Sequence, residues 1–387
     1  MTGSWENAVK KHLVALAAAI VLAAVALPWH PLAQTAVPEI PFDSVPNFLK
    51  LPPDLNLGEA SGVAVNSKGH IFVYTRSNSA TGPAYAATAS QIFEFDQTGK
   101  YVREIGKGLY AWSFAHAIRF DKDDNLWAVD KGSDMIVRFN PEGHVTMVFG
   151  RKKEASDNAQ PWEKVTPPLP PVNGQFRQPT DITWDPEGNI YISDGYVNSR
   201  VAKFDRNGDW IASIGEPGRT KIGELATPHS IAADARGNVY VADRGNRRIQ
   251  VIDSKTNKFV REIKIDVPVP PDAHPWMGNP LSLEIPTVPG AAQWTNAPGA
   301  PWAVCITPGP TQYLYAADSF PGRVYKLSLD GKVLGWMGKA GHQAKQFGWI
   351  HEIACPSENE IYVAEILNWR VQKLILHPTA AMSTASK

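Results

Sequence analysis

Short runs in which apolar and polar residues alternate follow one another along most of the chain, separated by turns rich in Gly and Asn. Alternation of period two predicts half-buried β-strands, and its regular interruption predicts hairpins. A larger unit also recurs: an alternating run, a turn, a Tyr/Val-rich run ending in an acid, then Arg with Ile or Val and another hairpin. Six copies open at Ser61-Gly62-Val63, His116-Ala117-Ile118, Thr180-Asp181-Ile182, His229-Ser230-Ile231, Trp302-Ala303-Val304 and His351-Glu352-Ile353. Fourteen residues after the first residue of each triplet stand Thr75, Asp130, Asp194, Asp243 and Glu365, while the fifth copy reaches Asp318 after sixteen. Turns such as Pro186-Glu187-Gly188-Asn189 and Arg236-Gly237-Asn238 fall midway, as hairpin connections should.

One such copy is too small to hide both of its faces, whereas six packed radially bury them and leave few free edges. The predicted fold is therefore all-β, a six-bladed β-propeller. The sixth copy stops near Leu374 to Leu376 without a fourth strand, and Val45 to Leu51 precedes the first copy with nothing to pair with. The N-terminal segment is expected to close the ring as the outer strand of the last blade. The recurring Asn-x-Arg-[Val/Ile] at Asn198, Asn246 and Asn368 resembles NHL repeats. In this topology the triplets and the ends of the second strands share one mouth of the channel. Three long insertions, Ser77 to Ser90, Arg151 to Arg177 and Val267 to Pro301, fall on the same face and suggest a funnel or lid.

Composition narrows the function. With 43% hydrophobic and 10% aromatic residues the chain can bury a large core. Its 38 basic residues are matched by 38 acidic ones, which leaves no surplus for nucleic-acid phosphates. Lys10, Lys11 and His12 precede an apolar run from Leu13 to Leu27 that Pro28 ends. Residues 1–36 thus read as a secretory signal or an N-terminal anchor, so that a secreted or periplasmic protein is expected, membrane-bound only if the segment stays uncleaved. The propeller is assigned to 37–377, a disordered tail to 378–387, and a monomer is expected. Cys305 and Cys355 are too few for a disulfide framework. Their offset in the repeat is consistent with one bridge between blades five and six, or with two buried thiols.

The chemistry concentrates at one repeat position. His116, His229 and His351 open the second, fourth and sixth copies, and alternate blades of six are related by about 120°. Three imidazoles at equal depth form the trigonal face of a tetrahedral site with its fourth position open, as catalytic zinc requires. The bland alternative for each is a packed repeat residue. Arg76 and Arg244 each stand one residue past a second strand, and Tyr196 stands two past Asp194. Guanidinium can hold a carboxylate through two parallel bonds, and a phenol among cations can ionise below its usual pKa of about 10. The set fits a small anionic or peptide substrate whose hydroxyl is activated by metal and base.

The segments AHAIRFD (115–121), QPTDITWDPEGNIYISDGYVNSRVAKF (178–204), TPHSIAADARGNVYVADRGNRRIQ (227–250) and WIHEIA (349–354) resemble the lyase half of peptidylglycine α-amidating enzymes, an NHL-repeat propeller family, and the resemblance runs over residues 45–376. It implies zinc on His116, His229 and His351, Tyr196 as base, Arg76 as carboxylate clamp and Arg244 as supporting cation. It also implies a structural calcium in the channel on the carbonyls of Val63 and Ile118 and on Glu352, where the family carries aspartate. The family's cysteine beside the tyrosine is Val197 here, so its disulfides are not reproduced. The function expected is a zinc-dependent lyase that cleaves N-acyl or peptidyl α-hydroxyglycine to a primary amide and glyoxylate. The rivals are a non-catalytic NHL propeller binding peptide or envelope partners through its top face, and a metal-dependent propeller hydrolase.

Overall fold

The computed structural model describes residues 37–77, 89–152, 170–270, 273 and 297–377. The N-terminal signal or anchor, the tail and most of the three insertions lie outside them. The described strands form six four-stranded antiparallel sheets, together with two small two-stranded pairs. The first strands of blades one to six are Glu59–Val65, Ala115–Phe120, Asp181–Trp184, Pro228–Ala233, Ala303–Ile306 and Ile350–Ala354. Each touches the first strand of the next blade, and the sixth touches the first, so these strands line a closed ring.

Blade six is completed by Phe42–Ser44, which pairs with Arg370–Leu376 in the register Phe42 opposite Leu376. The ring is thus closed by an N-terminal strand, although that strand lies before the expected Val45 to Leu51. The reason is local: Pro46 has no N–H to extend the ladder, and Asn47 turns the chain with φ 47°. The chain then runs on to blade one, where Lys50 bridges to Lys100.

The repeat's polar signature is a buried clamp. The acid that ends the second strand is held by the Asn and Arg that follow it. Asn246 Nδ2 and Arg248 Nε donate to Asp243 Oδ2 at 2.8 and 2.9 Å. Asn198 and Arg200 hold Asp194 in the same way, and Asn368 and Arg370 hold Glu365. Blade faces interlock through apolar side chains, such as Tyr74 and Trp112 with Phe139 between blades one and two. Between blades five and six Cys305 and Cys355 are disulfide-bonded, with Cα atoms 6.1 Å apart. One residue of offset between them reverses the side of the strand each thiol leaves from, which lets neighbouring blades present them to each other.

Candidate active site and metal centre

Each of the three histidines sits on a β-bulge at the mouth of its blade. The register of the first two strands slips between Ala115 and Ala117, between Pro228 and Ile231, and between Ile350 and Glu352. A bulge leaves its extra residue unpaired and re-aims the side chain, here toward the channel axis. Blades three and five carry no such slip in the corresponding pair. Blade one slips likewise between Ala60 and Gly62, around Ser61; Ser61, Thr180 and Trp302 supply carbonyls to the histidines.

Those carbonyls fix the rings. Nδ1 of His116 lies 2.6 Å from Thr180 O, that of His229 2.6 Å from Trp302 O, and that of His351 2.7 Å from Ser61 O. A carbonyl only accepts, so Nδ1 carries the proton in each ring and Nε2 keeps its lone pair. The rings face one another at centroid separations of 4.7, 4.5 and 4.9 Å, and one ligand nitrogen from each lies within 4.8 Å of the others. Burial first, and then the nearby cations and one another, pushes all three well below the usual imidazole pKa of 6.5. They are neutral bases. Nε2 of His229 is buried with no hydrogen-bond partner, a costly state for a nitrogen that nothing else is to bind. Three neutral imidazoles, each oriented by a carbonyl behind it, are the donor set of a divalent transition metal, and the site fits one.

Tyr196 stands over this layer, its Oη 3.4 Å from His116 Nε2. Burial would raise its pKa, but Arg244, Lys131 and Arg76 outweigh that effect and hold the phenol below 10. Lys131 Nζ lies 4.0 Å from the centre of the Tyr196 ring and 4.9 Å from that of Phe114. The sequence reading missed this residue, although it occupies the repeat position of Arg76 and Arg244, one past the second strand of its blade.

The two arginines differ. Arg76 donates from Nε to Glu59 at 2.5 Å and from Nη1 to Ala115 O at 3.0 Å, so its charge is matched and two of its donors are engaged. Arg244 stacks 3.9 Å over Trp302, and its Nε and Nη1 are buried without hydrogen-bond partners. Arg244 also hydrogen-bonds Tyr196, and it leaves two of its nitrogens without a protein partner to offer an anion.

The residues expected to hold calcium are arranged otherwise. Val63 and Ile118 turn their N–H groups, at 2.9 and 3.2 Å, toward Glu352 Oε2, and Gly62 makes room, since a Cβ there would stand 2.8 Å from that oxygen. The other oxygen, Oε1, lies 3.1 Å from the Nε of Arg119. Burial and the neighbouring Asp181 raise the Glu352 carboxyl well above the usual range, with Arg119 and the two N–H groups acting the other way. A guanidinium and two N–H donors are the wrong partners for a hard cation, so the Glu352 carboxylate does not fit calcium as placed.

The fold and centre define an NHL-type propeller with a three-histidine site at one mouth of its channel. Residues 176–204 and 225–252 match the NHL repeat model. Over 335 residues the chain is 26% identical to peptidyl-glycine alpha-amidating monooxygenase B of Xenopus laevis, covering 81% of this chain and 33% of that protein. It is 24% identical over 348 residues to peptidyl-alpha-hydroxyglycine alpha-amidating lyase 1 of Drosophila melanogaster, covering 83% and 58%. To a probable peptidyl-alpha-hydroxyglycine alpha-amidating lyase of Caenorhabditis elegans it is 26% identical over 235 residues, covering 56% and 62%. The chain therefore spans about a third of the first relative. Two of these relatives are named as amidating lyases, the activity of the family that the segments between 115 and 354 resemble.

Proposed function

We propose that this chain is a metal-dependent lyase that cleaves N-acyl or peptidyl α-hydroxyglycine into a primary amide and glyoxylate. The observation that carries the reading is the juxtaposition of three carbonyl-oriented neutral imidazoles with a phenol held below its ordinary pKa by three cations. Its relatives named as amidating lyases support the same chemistry. His116, His229 and His351 would hold zinc through Nε2, and zinc supplies a Lewis acid at the oxygen of the carbinolamide.

The chain's own residues do the rest. Arg244 binds the substrate carboxylate with the N–H groups it leaves unpaired, and Lys131 and Arg76 add positive charge around it. Tyr196, as phenolate, takes the proton of the carbinol hydroxyl. The C–O bond becomes the aldehyde C=O as the C–N bond breaks, and the proton passes from Tyr196 to the departing amide nitrogen. Protons balance over one turnover, and no redox partner is required. The Cys305–Cys355 bridge supports export to an oxidising compartment.

The test is product analysis. Zinc-loaded protein incubated with N-benzoyl-α-hydroxyglycine should release benzamide and glyoxylate in equal amounts. Intact substrate after prolonged incubation would refute the assignment.

A further inference from the structure

Beneath the histidine layer one side chain crosses the channel. Arg119 leaves the first strand of blade two, three residues after His116. At the same repeat position the other blades carry Ala64, Thr183, Ala232, Cys305 and Ala354, all small, and all six positions line a cavity of about 320 Å³ at that end of the channel. Small neighbours leave room for one long side chain.

Its guanidinium meets Asp181 of blade three fork to fork, with Nε to Oδ1 at 3.0 Å and Nη2 to Oδ2 at 2.7 Å. Nη2 also reaches Ser230 Oγ of blade four at 3.3 Å and Val304 O of blade five at 3.1 Å. Nη1 donates to Ile353 O of blade six at 3.1 Å. Nε lies 3.1 Å from Glu352 Oε1, and the other oxygen of Glu352 accepts from Val63 of blade one. All six blades are joined through one cation and two acidic side chains.

The contacts sit one residue from the metal-binding layer. Asp181 follows Thr180, whose carbonyl orients His116; Ser230 follows His229, and Glu352 follows His351. We propose that Arg119 is the built-in channel cation of this propeller: it takes the place of a structural calcium and positions the three-histidine centre from below. The side chain is covalently attached, donates to Asp181, Ser230 and the carbonyls of Val304 and Ile353, and pairs by charge with Glu352, and its charge repels a dication brought alongside. The inference concerns the channel alone and stands whether or not the lyase reading does.

Calcium content, melting temperature and zinc affinity test it, measured on protein prepared in calcium-depleted buffer. The wild type should contain no calcium, and millimolar calcium should leave its Tm unchanged. Arg119→Ala leaves Asp181, Glu352, Ser230 and two carbonyls, an all-oxygen donor set, so calcium should now bind and raise Tm. Its zinc affinity, read by chelator competition, should fall about 10–100-fold, the usual effect of losing support behind metal ligands. Arg119→Lys keeps the charge without the fork and should recover part of that loss; it carries the test should Arg119→Ala not fold. One tightly held calcium per wild-type chain whose removal lowers Tm would overturn the proposal. So would wild-type zinc affinity in the Arg119 variants.

Discussion

At the scale of single residues the proposed mechanism separates proton transfer from anion binding. Tyr196→Phe removes one hydroxyl and leaves the ring, the histidines and the cations in place. Zinc content and Tm should stay as in the wild type while kcat falls by about two to four orders of magnitude, the range of a general base. Arg244→Gln should raise KM and lower kcat together, because the carboxylate is held in both ground and transition states. Arg76→Gln should cost less in KM, since Glu59 and Ala115 already engage that guanidinium; steady-state kinetics on both variants checks the order. In the proposed mechanism the phenolate is the active form, and the phenol is held below its ordinary pKa of 10, so kcat/KM should rise with pH as Tyr196 ionises. Lys131→Met removes a charge that favours phenolate, and the rising limb of a profile between about pH 6 and 10 should move to higher pH. An unmoved limb would show that Lys131 does not act on Tyr196. The three histidines were legible from phase alone, because equal repeat positions in alternate blades converge. Lys131 and Arg119 were not: Lys131 shares its repeat position with Arg76 and Arg244 but is lysine where they are arginine, Arg119 is the one basic residue at its position, and each reads as rim or surface until the fold turns it inward.

At the scale of elements the spacing of the repeat was visible in the chain, whereas two devices it carries were not: the acid clamp of blades three, four and six and the bulges of blades one, two, four and six. Strand alternation and turn spacing located the blades, and the Asn-x-Arg signature marked them as NHL-like. That the signature is a clamp on the acid ending the second strand follows from pairing across the blade, which sequence spacing does not display. Asp243 is buried and receives Ala226 N, Asn246, Arg248 and Gln250. Asp243→Ala would strand Arg248 without its buried partner and should cost about 3–5 kcal/mol, seen as a lower midpoint in chemical denaturation. A near-normal midpoint would mean that Glu262, which also pairs with Arg248, suffices. The bulges were not legible either. His116 and His351 stand in strands whose alternation continues past them, and only the register slip shows why they face the axis.

At the scale of the whole molecule, closure of the ring is what brings the centre together. His116 and His351 are 235 positions apart in the chain, and the His351 ring is oriented by Ser61 of blade one. Three features tie the ring: the N-terminal strand on the outside of blade six, the Cys305–Cys355 bridge between blades five and six, and Arg119 in the channel. Each lets a rigid scaffold hold the three imidazoles at fixed separation, which is what a metal site with an open position demands. The central claim is that this assembled layer and its metal perform the reaction. The direct measurement is the initial rate of glyoxylate release from N-benzoyl-α-hydroxyglycine as zinc is returned stepwise to chelator-stripped protein. The account predicts a rate that rises from background in proportion to bound zinc and levels off at one equivalent per chain, with no such rise in His229→Ala. A rate independent of zinc, or one retained by His229→Ala, would contradict it.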